Sequence, residues 1–297
     1  MGGRHMKETQ LNDFCFGVLT LVLVSVFFAV CASLCSGAEG VWHKQLGELD
    51  FYVVQDKAGE MNNAIFGDDP EIAQLAPAGK SPSSYNVFLL KKGKNILLID
   101  TGVGGQMLSQ LQKIGIRPED ITNILLTHTH GDHIGGLLKG DAAAFPNAKL
   151  YLSEKEWKFW NESNQELAEK CVKVYGEPIK FVADEKTELV LPELVAFDIE
   201  GHTPGHTGFL ISVGKEKIVV VGDLLHSGAI QFARPDINAR FDKDGKKAAE
   251  ARQKWMNRAA QEGWIFAASH LPFPSAGKVQ ASGKGFRFIP APLESKE

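Results

Sequence analysis

The sequence predicts an α/β domain, and three observations predict it. Short apolar runs rich in β-branched residues alternate with amphipathic helical patterns. Of the 297 residues, 44% are hydrophobic and 23% charged, enough apolar side chain to build one large core or two small ones. Four of the strand-like runs end in His, Asp or Gly rather than in an ordinary polar turn.

Taken in order, residues 41–54 alternate aromatic and β-branched positions (Trp42, Phe51, Val53), as a strand pair does. Residues 62–82 carry Gly, Pro, Asp and Ala without periodicity and read as a long loop, of the kind that walls a pocket. Strands at 85–90 and 95–100 flank the turn Lys91-Lys92-Gly93-Lys94, a solvated hairpin end. A helix over 106–114 carries Leu108, Leu111 and Ile114 and stops at Gly115. Strands follow at 121–127 and 149–152, and Ser153 with Glu156 has the spacing of a capping box that opens a helix holding Trp157 and Trp160. Cys171 reads as a small buried residue. The later half gives strands at 188–199, 208–213 and 217–221, then a helix over 243–262 with Ala248, Trp255, Met256 and Ala259 inward and Gly263 as its stop. A final buried strand spans 264–269, and no linker interrupts residues 39–297.

At the N-terminus, Arg4 and Lys7 precede an uncharged apolar run over 14–34 that closes on Ser36, Gly37 and Ala38, a small-x-small pattern suited to signal peptidase. Residues 1–38 are expected to be a signal peptide, which places the domain 39–297 in the periplasm or outside the cell. The run is also long enough to span a bilayer, so a retained anchor is the competing expectation and the one route to a membrane partner. Cys15, Cys31 and Cys35 fall in this segment, leaving Cys171 without an intramolecular disulfide partner. The net charge of -4 is unchanged by removing residues 1–38 and leaves no basic surplus for a phosphate backbone. A small-molecule substrate is expected and nucleic acid is not; a homodimer is left open.

The chemistry concentrates in ILLTHTHGDHIGG, residues 124–136. Residues two apart on an extended segment point the same way, so His128 and His130 can share one ion. Asp132 and His133 lie past Gly131 and can turn towards a neighbouring one. Imidazole nitrogens and carboxylate oxygens are ligands that zinc accepts and, less selectively, iron or manganese. Three more places sit at the C-terminal end of an apolar run: GHTPGHT at 201–207, Gly222 and Asp223 after KIVVV, and His270 after WIFAAS. Seven of the nine histidines (His128, His130, His133, His202, His206, His226 and His270) fall in these four places. Histidines scattered through a core for structural reasons would not cluster so.

In that order, and with DTG at Asp100 ahead of them, HTHGDH, GHTPGH, the Asp after an apolar strand and the late His resemble the metallo-β-lactamase superfamily. The tail GDLLHSGAIQF and then HLPFPSAGKVQASGKGFRFIP is similar to its methyl parathion hydrolase branch and the quorum-quenching lactonases related to it. The resemblance implies a four-layered αββα sandwich holding two zinc ions, with iron, manganese or cobalt as alternatives. It implies His128, His130 and His206 on the first ion, Asp132, His133 and His270 on the second, and Asp223 bridging. The implied activity is that of an exported dinuclear hydrolase in which a metal-bridging hydroxide attacks a lactone, an activated ester or an organophosphate triester. A β-lactamase or thioester hydrolase of the same fold, and a non-catalytic metal-binding protein, are the alternatives.

The remaining residues carry two readings each. His202 is implied to be structural or to stand behind the ligands. Asp100 either orients a ligand histidine or simply forms a turn. The catalytic set is Asp132, Asp223 and His226, the last at an offset where lactonases of the superfamily tend to carry tyrosine and parathion hydrolases an aliphatic residue. His226 donates a hydrogen bond or a proton there, or merely lines the pocket. Trp160, Leu271 and Phe273 are placed near the substrate by the resemblance, although an aromatic on an amphipathic helix is more often core.

Overall fold

Runs such as VFLL and KIVVV are apolar at every position, so the strands they form must be covered on both faces, and that requirement dictates layers. The computed structural model describes residues 39–293; the segment 1–38 read as a signal peptide lies outside the described residues. Strands β1 (Val41–Leu46), β2 (Leu49–Asn62), β3 (Lys80–Lys92), β4 (Asn95–Ile99), β5 (Asn123–Leu125), β6 (Leu138–Lys139), β7 (Ala142–Ala143), β8 (Lys149–Ser153) and β9 (Ile179–Phe181) occupy the first half. The second half holds β10 (Asp184–Leu189), β11 (Leu191–Asp198), β12 (Thr207–Val213), β13 (Glu216–Val220), β14 (Ile265–Ala267), β15 (Ala276–Ser282) and β16 (Gly285–Pro290). One seven-stranded sheet has the order β1-β2-β3-β4-β5-β8-β9, a second runs β10 to β16 in sequence, and β6 and β7 pair separately.

Alternation along each strand assigns its two faces. Phe88 and Leu90 of β3, Leu97 and Ile99 of β4, and Ile218 and Val220 of β13 meet in one core between the sheets. Their neighbours Val87, Leu89 and Leu98 turn outward to a second core, with Met107 and Leu111 of α2 (Met107–Lys113) and with Trp160 and Cys171. Trp160 belongs to α4 (Glu154–Ser163) and Cys171 to α5 (Gln165–Tyr175); the shorter α1 (Pro70–Leu75) and α3 (Gly131–Ile134) lie in loops. Val219 turns the other way, against Trp255, Met256 and Ala259 of α7 (Gly245–Glu262), which follows the single turn α6 (Gly228–Gln231). Helices, sheet, sheet, helices: the αββα sandwich is the arrangement found.

Three sequence expectations change. The supposed loop 62–82 loses both ends to a long β2–β3 hairpin, whose register runs on past a bulge to Asn62↔Lys80. Its outer arms carry no apolar alternation because much of them faces solvent. The single strand 188–199 is two, folded back at Val190 with φ 62 and Leu189 opposite Leu191; one apolar run covers both arms and no Gly or Asn marks the turn. Strands β9, β15 and β16 and helix α5 are additional.

Candidate metal centre

Five strand ends deliver the site. β4 runs into Asp100, β5 into Thr127 and His128, β11 into the turn 199–206, β13 into Gly222 and Asp223, and β14 into Ser269 and His270. β4 and β5 are parallel, as are β13 and β14, and β11 matches β13 in direction across the antiparallel β12. All five C-terminal ends therefore open on one edge of the sandwich.

Asp223 is the focus. Its Oδ2 lies 3.1 Å from His270 Nε2, 3.2 Å from His226 Nε2, 3.5 Å from His202 Nε2 and 3.8 Å from His128 Nε2. Its Oδ1 lies 3.0 Å from His133 Nε2. Asp132 approaches from the solvent side, 3.2 Å from His270 Nε2. His130 Nδ1 faces His202 Nε2 at 2.9 Å. Ligand atoms converge in three overlapping groups: His128, His130 and His202; Asp132, His133, Asp223 and His270; and His202, Asp223 and His226.

This corrects the expected roles of the two histidines in GHTPGH. His202, not His206, brings its Nε2 to His128 and His130. His206 lies behind them: its Nε2 faces the backbone N–H of Asp223 at 3.2 Å and its ring packs edge-on to His128. The turn through Pro204 and Gly205 separates the two rings, carrying His202 to the site and His206 to the start of β12. That turn lies against the start of α4, since a Cβ on Gly205 would come within 2.1 Å of the Glu156 backbone nitrogen.

Three buried carboxylates hold the ligand loops from behind. Asp100 sits at φ 63, an unusual conformation for a non-glycine residue and of the kind concentrated at functional sites. It accepts from Thr127 N–H at 2.8 Å, Thr127 Oγ1 at 2.7 Å and His133 Nδ1 at 2.8 Å. That last bond leaves His133 Nε2 free to face the centre. Asp242 does the same for His202, accepting from its Nδ1 at 3.0 Å, and is itself neutralised by fully buried Arg252 at 3.4 Å. Glu156, fully buried, accepts from Thr129 N–H and Oγ1 at 2.8 Å each and from Thr203 Oγ1 at 2.7 Å. It ties the His128–His130 segment to the turn carrying His202. Sequence reasoning missed Asp242, Arg252 and this role of Glu156; half the predicted capping box is present, with Ser153 Oγ accepting from Glu156 N–H, while the Glu156 carboxylate goes elsewhere.

The electrostatics divide the histidines. Burial, reinforced by neighbouring histidines, pushes His128 and His206 well below the usual imidazole range, and it brings His130 down to about 4. Burial also opposes charge on His133 and His270, but Asp223 with Asp100 and Asp132 outweighs it at the first and Asp223 with Asp132 at the second. His133 is held well above its usual value and His270 at about 10. Burial acts against the Asp223 carboxylate too, yet His133 and His270 keep it ionised.

The donor set fits divalent metal. Among the described residues, His128 Nε2, His133 Nε2, Asp223 Oδ1 and both ring nitrogens of His226 are buried with no hydrogen-bond partner. Each such orphan costs roughly 1–3 kcal/mol unless something satisfies it. Convergent imidazole nitrogens and carboxylate oxygens are what a zinc-type cation takes.

Around the centre, Tyr85 packs edge-on to His270 at 5.2 Å, Phe159 to His130 at 6.4 Å, and Phe241, 39% exposed, lies 5.9 Å from His226. No sequence signal separated these aromatics from ordinary ones. Leu271 and Phe273 line an apolar cleft of about 390 Å³ with Phe232, Phe286 and Phe288. Trp160 is elsewhere: it is fully buried in the helix-side core, edge-on to Trp157, and touches no part of that cleft.

The family model described as the metallo-beta-lactamase superfamily matches residues 81–270. The chain belongs to that superfamily. Among solved structures, AidC, a dizinc quorum-quenching lactonase, matches at 28% identity and TM-score 0.78 over 86% of this chain and 99% of that one. Hydrolase AbOPH matches at 30% identity and TM-score 0.77 over the same shares. An N-acyl homoserine lactonase from a Bacillus species is 27% identical over 160 residues, 45% of this chain and 60% of that protein. Exodeoxyribonuclease WalJ of Streptococcus pneumoniae is 42% identical, but over 84 residues and 30% of its own length. The chain is a metal-dependent hydrolase of the superfamily, with a His/Asp cluster able to bind divalent metal.

Proposed function

We propose that this chain is an exported dinuclear metal hydrolase whose substrates are lactones first, then activated esters and organophosphate triesters. The observation that carries the dinuclear reading is Asp223. One buried carboxylate stands between a three-histidine group and a group of Asp132, His133 and His270: its Oδ1 faces His133, and its Oδ2 faces His270 at 3.1 Å on one side and His202 at 3.5 Å on the other. In this reading His128, His130 and His202 hold one ion, Asp132, His133 and His270 the other, and Asp223 both; zinc suits the donors best. The near-complete overlap with a dizinc lactonase supports the substrate class, and the much shorter overlap with WalJ gives less support to a nuclease.

Divalent ions in those seats supply Lewis acidity, which acidifies water and stabilises charge growing on a substrate oxygen. The chain does the rest. Asp100 and Asp242 fix which ring nitrogen of His133 and of His202 points inward. Tyr85, Phe159 and Phe241 offer an apolar mouth beside the centre, suited to an acyl or aryl group. Export rests on the apolar segment before residue 39.

Elemental analysis of the purified protein, together with a panel of acyl-homoserine lactones, aryl esters and methyl parathion, tests the proposal. Two ions per chain with lactone turnover fastest is expected. One ion at saturation sinks the dinuclear reading, and nitrocefin turnover matching that of lactones sinks the substrate class.

A further inference from the structure

Of the seven clustered histidines the two seats above leave His206, whose Nε2 faces the Asp223 N–H, and His226. His226 is 2% exposed, and among the described residues neither ring nitrogen has a hydrogen-bond partner. Burying an imidazole nitrogen without a partner forfeits its bond to water. Nδ1 has no partner, and Nε2 has only the Asp223 carboxylate beside it, which it shares with His202 and His270. One ring face stacks on His270, at 5.4 Å and 17°, and Phe241 and His202 flank it at 5.9 and 5.0 Å. Its Nε2 points to the carboxylate oxygen that His202 and His270 also approach, 3.2 Å from Asp223 Oδ2.

We propose that His226 is a metal ligand, forming with His202 and Asp223 a third cation position that overlaps the three-histidine seat. The inference rests on the metal-centre reading above. His202 belongs to both positions, and Asp242 at its Nδ1 already directs its Nε2 between them. One ion can therefore use either set, but two ions cannot divide His202. Asp223, read above as serving both ions, already stands beside the seat of His128, His130 and His202, so His226 would add a further imidazole on the Asp223 side of that seat. The seat of Asp132, His133, Asp223 and His270 does not include His226.

That last fact makes the inference testable without reference to turnover. Cobalt(II) is titrated into metal-free full-length protein and into His226→Phe, whose ring keeps the stack on His270 but offers no nitrogen. His226→Asn, which keeps a polar group of smaller size, is run in parallel. Binding of each equivalent is followed by visible ligand-field absorption and chelator competition. The parent is expected to take two equivalents. In both variants the first equivalent should bind as in the parent, and the second should bind roughly tenfold or more weaker with an altered spectrum. Variants whose two equivalents match the parent in affinity and spectrum overturn the inference and leave the hydrolase reading intact. Equal weakening of both equivalents also overturns it, since that marks general damage to the fold. A parent that takes up no cobalt overturns the metal-centre reading itself, and this inference with it.

Discussion

Glu156 gives the sharpest test of how the site is held. It is a fully buried carboxylate with three hydrogen bonds of 2.7–2.8 Å, two to Thr129 and one to Thr203. Bonds to a charged acceptor contribute about 1.5–3 kcal/mol each, so Glu156→Ala forfeits at most about 9 kcal/mol. Burial, which already pushes the Glu156 carboxyl up, offsets part of that, and a net loss of about 3–5 kcal/mol is expected. Against a total stability of about 5–15 kcal/mol this variant verges on unfolding, so Glu156→Gln decides the matter. Its amide oxygen can still serve Thr129 and the Thr203 hydroxyl can turn to accept, but the acceptor no longer carries charge. The cost falls to about 1–3 kcal/mol, roughly 2–4 °C of melting temperature per kcal/mol. Chelator competition should then show the ion of His128, His130 and His202 held about 10–100-fold more weakly, with the ion of Asp132, His133 and His270 unchanged. A Glu156→Gln protein that melts with the parent and binds both ions equally well would refute the claim that this carboxylate sets the spacing between the two histidine loops.

Three further outcomes are expected. His133 and His270 lie above neutral pH in the metal-free protein, so both carry protons at pH 7 and must lose them to act as ligands. Zinc uptake at pH 7 should release about two protons and strengthen as pH rises; calorimetry in buffers of differing ionisation enthalpy that finds none released contradicts this. Asp100→Asn should weaken the ion at His133 about 10–100-fold, because an amide cannot accept from His133 Nδ1 and Thr127 N–H as the carboxylate does; an unchanged metal content and affinity would assign Asp100 to the turn alone. Phe241→Ala should raise KM for long-chain lactones about 5–30-fold, the equivalent of about 1–2 kcal/mol of apolar contact, with metal content and kcat kept; equal KM for short and long chains counts against the aromatic mouth.

Much of the fold is legible in the sequence because strand ends here are chemically marked. An apolar run that stops at His, Asp or Gly announces both its length and its position at the open edge, and β4, β5, β13 and β14 each do so. The hairpin at Val190 is not legible, since its turn residue is β-branched and the apolar pattern runs through both arms. Trp160 shows the converse. A helical face that alternates with charge says which side is apolar, but the same pattern serves a core or a cleft, and here the sheet beneath α4 covers it completely.

The site was legible as ligand types and much less as partners, for a reason the GHTPGH turn makes concrete. Two histidines four residues apart around Pro204 and Gly205 are chemically identical in the sequence. What separates them is contact with distant chain: Asp242, 40 residues on, fixes His202, and the backbone of Asp223, 17 residues on, takes His206. Glu156 carries the same lesson further. The spacing from Ser153 correctly marks where α4 begins, because Ser153 caps it, yet the glutamate that completes the pattern is drawn to Thr129 and Thr203, 27 and 47 residues away in the chain. A local motif thus survives at one of its two ends while the other end is recruited by tertiary structure. Where that happens to a buried carboxylate between two ligand-bearing loops, the departure from the motif is itself a pointer to the site.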